Sequence, residues 1–253
     1  TIILGSTVDD LAVSQDRFVI SLNKTDKNLL FIDTWNWRTM TGTISLGNTV
    51  NSMAIDQQGS RLYFAYSSGR IKWMDLSPLS DIAFDGSTTF SALHLETGTT
   101  LFNGDTLLQI AVIQPEDNDT ADCVFVETGS SASASLYWMI VQGNTVLAND
   151  VVPPLPLFTN ATNVELAAGQ NRLFARYNYS SANYLSAYRC YWNSRTVNDN
   201  ALALLNNSHN FRGLGVEQTG AKLVLGDTTT GQLLLYGVTI SGGILVNNHL
   251  ASK

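Results

Sequence analysis

Charge is scarce in this chain. Lys, Arg, Asp and Glu supply 14% of its 253 residues, where about a quarter is usual. What charge there is leans acidic, with 14 basic against 21 acidic residues and a net charge of −7. No run of Lys or Arg occurs, so a phosphate backbone has no basic patch to grip, and an anionic membrane surface has none either. No apolar stretch approaches the roughly 20 residues that span a bilayer as a helix. Histidine is limited to His94, His209 and His249, which lie far apart in sequence. Cysteine is limited to Cys123 and Cys190. With no His close to either in sequence, zinc ligation is disfavoured; the preferred reading is two buried free thiols, and the alternative is one disulfide. Residues that build long helices are also few. Asn, Ser, Thr and Gly fill the polar positions, and Thr, Val, Ile and aromatics favour strands. Because the chain begins at Thr1 with neither Met nor a signal peptide, it is expected to be processed or a cut-out piece.

What is present is repetition. "TIILGSTVDDLAVSQ" at residue 1 is echoed by "TISLGNTVNSMAIDQQ" at residue 43. Between the two copies lie short segments that read as four strands: "DDLAVSQ", "RFVISL", "NLLFIDT" and "RTMTGTISLG". They alternate or run apolar, with Gly, Asn, Asp and Lys in the breaks. The same order recurs in four further units, which gives five first strands beginning near residues 9, 50, 107, 163 and 212. Third strands align in columns: Phe31, Trp73, Trp138, Ala187 and Leu235, then Ile32, Met74, Met139, Tyr188 and Tyr236. Columns of this kind arise when each sheet packs its face on the next. The spacing averages about fifty, slightly above that of a four-stranded propeller blade.

The stretch "NLLFIDTWNWRTMTGTISLGNTVNSMAIDQQGSRLYFAYSSG", continued by "RIKWMDLSP", resembles the YVTN-type β-propeller repeat. That family writes an apolar strand, a "DG"-type turn, "LYVA", a short turn, an apolar "VID" and a "TIPVG"-like ending. The match is good over residues 1–77, weaker over 163–240 and poor between; "QQGS" and "QD" stand where the family has "DG". The resemblance implies an all-β, WD40-like β-propeller and little else; the five units then read as five blades of four antiparallel strands in one domain covering residues 1–253, with a piece of a larger propeller as the alternative. Residues 1–5 would serve as a ring-closing outer strand, which would hide an open sheet edge. Propellers host binding platforms, sensors and enzymes, so function does not follow from the resemblance.

Candidate sites are sparse. "QPEDNDTADC" places Glu116, Asp117, Asp119 and Asp122 within seven residues. Asp117, Asp119 and Asp122 form a candidate calcium site, but the turn lacks the EF-hand glycine and terminal glutamate, and a solvated acidic turn is the preferred reading. Trp73 and Trp138 fall in the packing columns and read as core; Trp35, Trp37 and Trp192 lie at or after third-strand ends, and Trp35 and Trp37, on one strand face, offer either an aromatic platform or a packing contact. "PPLPLFTNAT" reads as a rigid crossing between units, with a lip over a central depression as the alternative. Five N-x-S/T sequons, at Asn23, Asn118, Asn160, Asn178 and Asn206, match the roughly four that chance gives in so polar a chain.

No nucleophile elbow or Cys–His pairing is evident. Asp9, Asp10, Asp105 and Glu165 stand near first-strand starts and are the candidate carboxylates for a glycoside- or lactone-type hydrolase; strand-turn capping is the preferred reading. The face that carries the unit-linking segments is expected to bring together Asp9, Asp10, Asn48, Asp105, Phe158, Asn160 and His209 as a ligand site. That set favours binding without turnover and a neutral or cationic partner, whether protein or glycan. No cofactor is expected apart from the calcium alternative. A lectin is the second alternative, but the units have diverged in their loops. The scarcity of charge and the polar uncharged loops fit an extracellular, cell-surface or periplasmic setting.

Overall fold

A computed structural model describes residues 7–14, 18–35, 38–39, 44–76, 95–96, 105–130, 132–143, 145–147, 157–205, 207–241 and 244–252. The proposed closing strand at residues 1–5, Trp37, His94 and the prolines of "PPLP" lie outside them. All regular structure among the described residues is strand, and no helix is long and apolar enough to cross a membrane. Contacts group the chain into two compact units, Thr1–Ile110 and Ala111–Lys253.

The first unit holds two antiparallel sheets. One is built from β1 (Asp10–Val13), β2 (Phe18–Asn23), β3 (Asn28–Asp33), β4 (Arg38–Thr39) and β5 (Ile44–Ser45). Of the single polar fourth strand expected at "RTMTGTISLG", the described residues Arg38–Thr39 and Ile44–Ser45 are strand, both paired to β3 at different points. The other sheet holds β6 (Val50–Ile55), β7 (Arg61–Tyr66), β8 (Ile71–Asp75) and β9 (Leu95–Glu96). Their inner faces share one core of Ile20, Leu22, Leu29, Phe31, Leu62, Phe64, Tyr66 and Met74. This is the burial that alternating apolar strands require.

The boundary between the units falls within β10 (Leu107–Ile113), which with β11 (Ala121–Ser130), β12 (Ser133–Gln142) and β13 (Thr145–Leu147) forms the next four-strand set. Next come β14 (Phe158–Ala168), β15 (Leu173–Tyr179), β16 (Ala182–Tyr191) and β17 (Thr196–Leu205), then β18 (Phe211–Val216), β19 (Lys222–Asp227), β20 (Gln232–Ser241) and β21 (Ile244–Ser252). The first two sets are joined into one sheet, because β14 pairs with β12 through Ala161 and Phe158 and with β15 through Thr162 to Ala168. Residues 158–162 are therefore strand, where the sequence suggested a crossing linker. The strand turns between its two partners at Asn160 and Asn163, both in the left-handed region (φ 56° and 51°). Asparagine tolerates that conformation better than most residues with a Cβ.

Both column series behave as packing positions. Nine of the ten residues are buried and Leu235 is half-buried. Trp73 and Trp138 are core residues, as expected; Trp192 is half-buried against the β11–β16 core; Trp35 is 68% exposed. Two cores flank β15. Leu173, Ala175 and Tyr177 face Phe125, Trp138 and Ile140, whereas Phe174 faces Leu185, Phe211, Leu223 and Leu225. This is the two-residue period of a strand buried on both sides.

At one end of the second unit, backbone bonds chain the turns that follow successive first strands. Gln114 N donates to Gln170 O (3.0 Å), and Gln170 N donates to Gln218 O (2.6 Å). There Gly169 packs so closely on Gly220 that an added Cβ would lie 2.9 Å from the Gly220 Cα. At the other end β15 and β16 are joined by Ser180–Ser181, both at positive φ (49° and 66°). These angles are those of the two-residue turn whose twist matches a hairpin.

Candidate functional site

Strand β15 reads "LFARYNY", and its two faces line two different concavities. Tyr177 and Tyr179 point one way, with Phe158 and Thr159 of β14 and Tyr184 of β16, around a groove of about 340 Å3. Phe158 stacks on Tyr177 at 4.3 Å between centroids, and Tyr177 on Tyr184 at 5.5 Å. The Tyr177 hydroxyl lies 3.2 Å from the Ser186 hydroxyl, which fixes the middle ring. Tyr179 is 48% exposed at the mouth. No ionisable group other than tyrosine lines this groove.

Arg176 and Asn178 point the other way, into a polar cavity of about 230 Å3 shared with Asn163, Asn183, Asn210, Phe211, Arg212 and Thr228. Arg176 is 2% exposed. Its guanidinium is ion-paired to Glu165 (Nη2 to Oε1, 3.1 Å) and donates to the Asn163 carbonyl (2.7 Å) and to Asn178 Oδ1 (3.3 Å). A buried guanidinium needs this degree of pairing to be tolerated. Asn183, also buried, donates through Nδ2 to the His209 carbonyl (3.1 Å). Arg212 is exposed and has no ion-pair partner among the described residues.

The strand-start acids have a shared structural job. Asp10 Oδ2 accepts the Met53 amide (3.0 Å), and Glu165 Oε2 accepts the Leu214 amide (3.1 Å). Met53 and Leu214 are each the fourth residue of a first strand, and a bulge precedes both. Each carboxylate thus clasps the first strand of the next sheet, and Asp10 Oδ1 also accepts the Leu11 amide next to it (2.9 Å). Asp9 Oδ2 accepts the Lys24 amide (2.7 Å).

The expected ligand set divides between the two units. Asp9, Asp10, Asn48 and Asp105 belong to the first, and Asp9, Asn48 and Asp105 are exposed there. Phe158, Asn160 and His209 belong to the second. Phe158 lines the aromatic groove, and Asn160 lies next to it and accepts from the Ser133 hydroxyl (3.3 Å). The His209 ring stacks on Phe211 and bonds Asp227 through Nδ1 (2.6 Å). Burial alone would raise the Asp227 pKa, but the Thr230 hydroxyl, His209 and the Thr229 and Thr230 amides outweigh it and hold the carboxyl below its ordinary 3.8. Tyr177, Tyr179, Tyr184, Arg176 and Arg212 were not foreseen. For Arg176, Tyr177 and Tyr179 the signal was the alternation of aromatic with Arg and Asn along β15.

In the acidic turn, both oxygens of Asp117 accept backbone amides, from Trp192 (2.5 Å) and Asn193 (2.9 Å). Burial pushes the Asp117 pKa up, but those amides prevail and lower it. Glu116 pairs with Arg189 at 3.2 Å, and Asn118 accepts from Thr120. Asp119 is exposed and Asp122 half-buried. Cys123 and Cys190 are buried free thiols beside each other; burial, then the Cys190 neighbour, pushes the Cys123 thiol well above its ordinary value.

No family model matches the chain, and no curated protein matches it. Solved structures do. The β-propeller domain of Cps50 (Swd1) from Myceliophteria thermophila is 8% identical with a TM-score of 0.57, covering 97% of this chain and 73% of that one. A putative 6-phosphogluconolactonase from Bacteroides fragilis is 9% identical with a TM-score of 0.60, over 94% of this chain and 67% of that one. A chain of a nidogen/laminin complex is 11% identical with a TM-score of 0.57, over 100% and 81%. At such identities the likeness is one of fold, and the fold is an all-β one of the β-propeller kind.

Proposed function

We propose that the chain is a five-bladed propeller that binds a protein or glycan partner without turning it over. Five successive strand sets support the blade count. The observation that carries the functional reading is the engagement of the strand-start carboxylates: Asp10 and Glu165 are held by strand amides, and Glu165 also by Arg176. A glycoside- or lactone-cleaving site would need such acids free to meet substrate. The partner meets the face with the β11–β12 and β15–β16 hairpin turns, where the groove of Phe158, Tyr177, Tyr179 and Tyr184 offers stacked rings and an uncharged rim. Stacked rings with hydroxyl edges suit an apolar protein side chain or a sugar ring face. An extracellular, cell-surface or periplasmic setting fits the uncharged polar loops.

The test is a titration of tyrosine fluorescence with neutral oligosaccharides, together with a glycan array, for the wild type and Tyr179→Ala. A saturable change that is lost in the variant supports the groove as a glycan site. If no glycan binds, the partner is a protein; if binding survives Tyr179→Ala, the groove is not the site. The acidic turn is proposed as an anchor and not a calcium site, because both Asp117 oxygens already accept amides. Millimolar calcium should leave Tm unchanged, and a rise of more than a few degrees would assign a cation to it.

A lactone- or glycoside-type hydrolase is the second reading. It is favoured by the likeness to the putative 6-phosphogluconolactonase.

A further inference from the structure

We propose that the polar cavity on the even face of β15 binds a small hydroxy-carboxylate, a sugar acid of the uronic kind. Two arginines, Arg176 and Arg212, are among its lining residues, and no Asp or Glu is. Glu165 is not among the lining residues; it pairs with Arg176 and cancels its charge, with its oxygens taken by Arg176 and by the Leu214 amide. Arg212 is left as the surplus cation at the rim. In a chain of net charge −7, this pocket has the opposite local sign. It favours an anion, contrary to the neutral or cationic ligand that the sequence suggested.

The other lining groups narrow the anion. One unpaired planar guanidinium matches a carboxylate through two parallel hydrogen bonds, whereas a phosphate dianion calls for several donors or charges. Asn163, Asn178, Asn183 and Asn210 line the same space. A carboxamide donates and accepts at once, which matches a hydroxyl; phosphate oxygens only accept. The floor is pre-set, because Arg176 holds Asn178 Oδ1 and the Asn163 carbonyl while Asn183 is pinned to the His209 carbonyl. Groups locked before the ligand arrives lose little freedom on binding. At about 230 Å3 the cavity is below the usual range for drug-sized ligands and suits a single ring.

The site does not depend on the aromatic groove, and the experiment separates the two. Isothermal titration calorimetry is run with sodium D-glucuronate, sodium D-galacturonate, D-glucose and inorganic phosphate. The proteins are the wild type, Arg212→Gln, Arg212→Lys and Tyr179→Ala. Arg212 is exposed, so its variants should keep the fold, which circular dichroism checks. At least one uronate should bind the wild type and bind Arg212→Gln at least about tenfold more weakly. Arg212→Lys should fall between them, since a point charge replaces a fork. D-Glucose should bind at least about tenfold more weakly than that uronate, and Tyr179→Ala should bind it like the wild type. The proposal is overturned if neither uronate binds at about 10 mM, if phosphate binds more tightly, if glucose binds equally well, or if Arg212→Gln binds unchanged.

Discussion

The two faces of β15 differ by one residue of register, yet they make opposite surroundings. Leu173, Ala175, Tyr177 and Tyr179 build an apolar wall that ends in an aromatic groove. Phe174, Arg176 and Asn178 begin in a core and end in a polar cavity. On the aromatic side, stability comes from ring area removed from water and from stacking. On the polar side, a buried cation is tolerated only because its bonds are filled. The comparison teaches that the polar face is stable only as a set, whereas the aromatic face should lose stability piecemeal.

The largest effect should come from breaking the polar set. Glu165→Ala leaves Arg176 buried without its counter-charge and removes the clasp on Leu214. A loss of about 3 kcal/mol in urea unfolding is expected. A loss comparable to that of an exposed surface substitution would mean that the pair is not structural. On the aromatic face, Tyr177→Phe removes only the hydroxyl near Ser186 and keeps both stacks. Its cost should be about 1 kcal/mol, read by the same unfolding curve.

A smaller effect should appear in acid. The Asp227 and Asp117 pKa values are lowered in the folded chain. Their contributions are therefore complete above the ordinary carboxylate value and fade as pH falls through the lowered one. Asp227→Asn should be less stable than the wild type at pH 7, and the gap should close below about pH 4. A gap independent of pH would contradict the assignment of Asp227 as the ionised anchor of the β19–β20 turn.

Much of the fold was legible because alternation and turn residues act locally. "RLYFAYSSGRIKWMD" announces β7, its turn and β8, and the third-strand columns named their core residues. The fourth strands were less legible. "TVLANDVVPPLPLFTN" holds β13 and the start of β14, which pair with opposite ends of β12. Prolines there read as a linker, since a strand signal weakens wherever ladder donors are missing. The site was largely hidden. Phe158 and Asn160 were singled out from their place in the linker, but the jobs of Asp10 and Glu165 depend on strands 43 and 49 residues away. The division of β15 into aromatic and polar faces needed its register against β14 and β16.

The central claim is that the strand-start acids hold strands together and do not cleave substrates. Its most direct test is a turnover screen of the wild type and Glu165→Gln with glycosidic, ester and lactone substrates, including sugar lactones. The account predicts no turnover above buffer for either protein. Turnover by the wild type that is lost in Glu165→Gln, while the variant's circular dichroism stays native, would contradict it and establish the hydrolase reading.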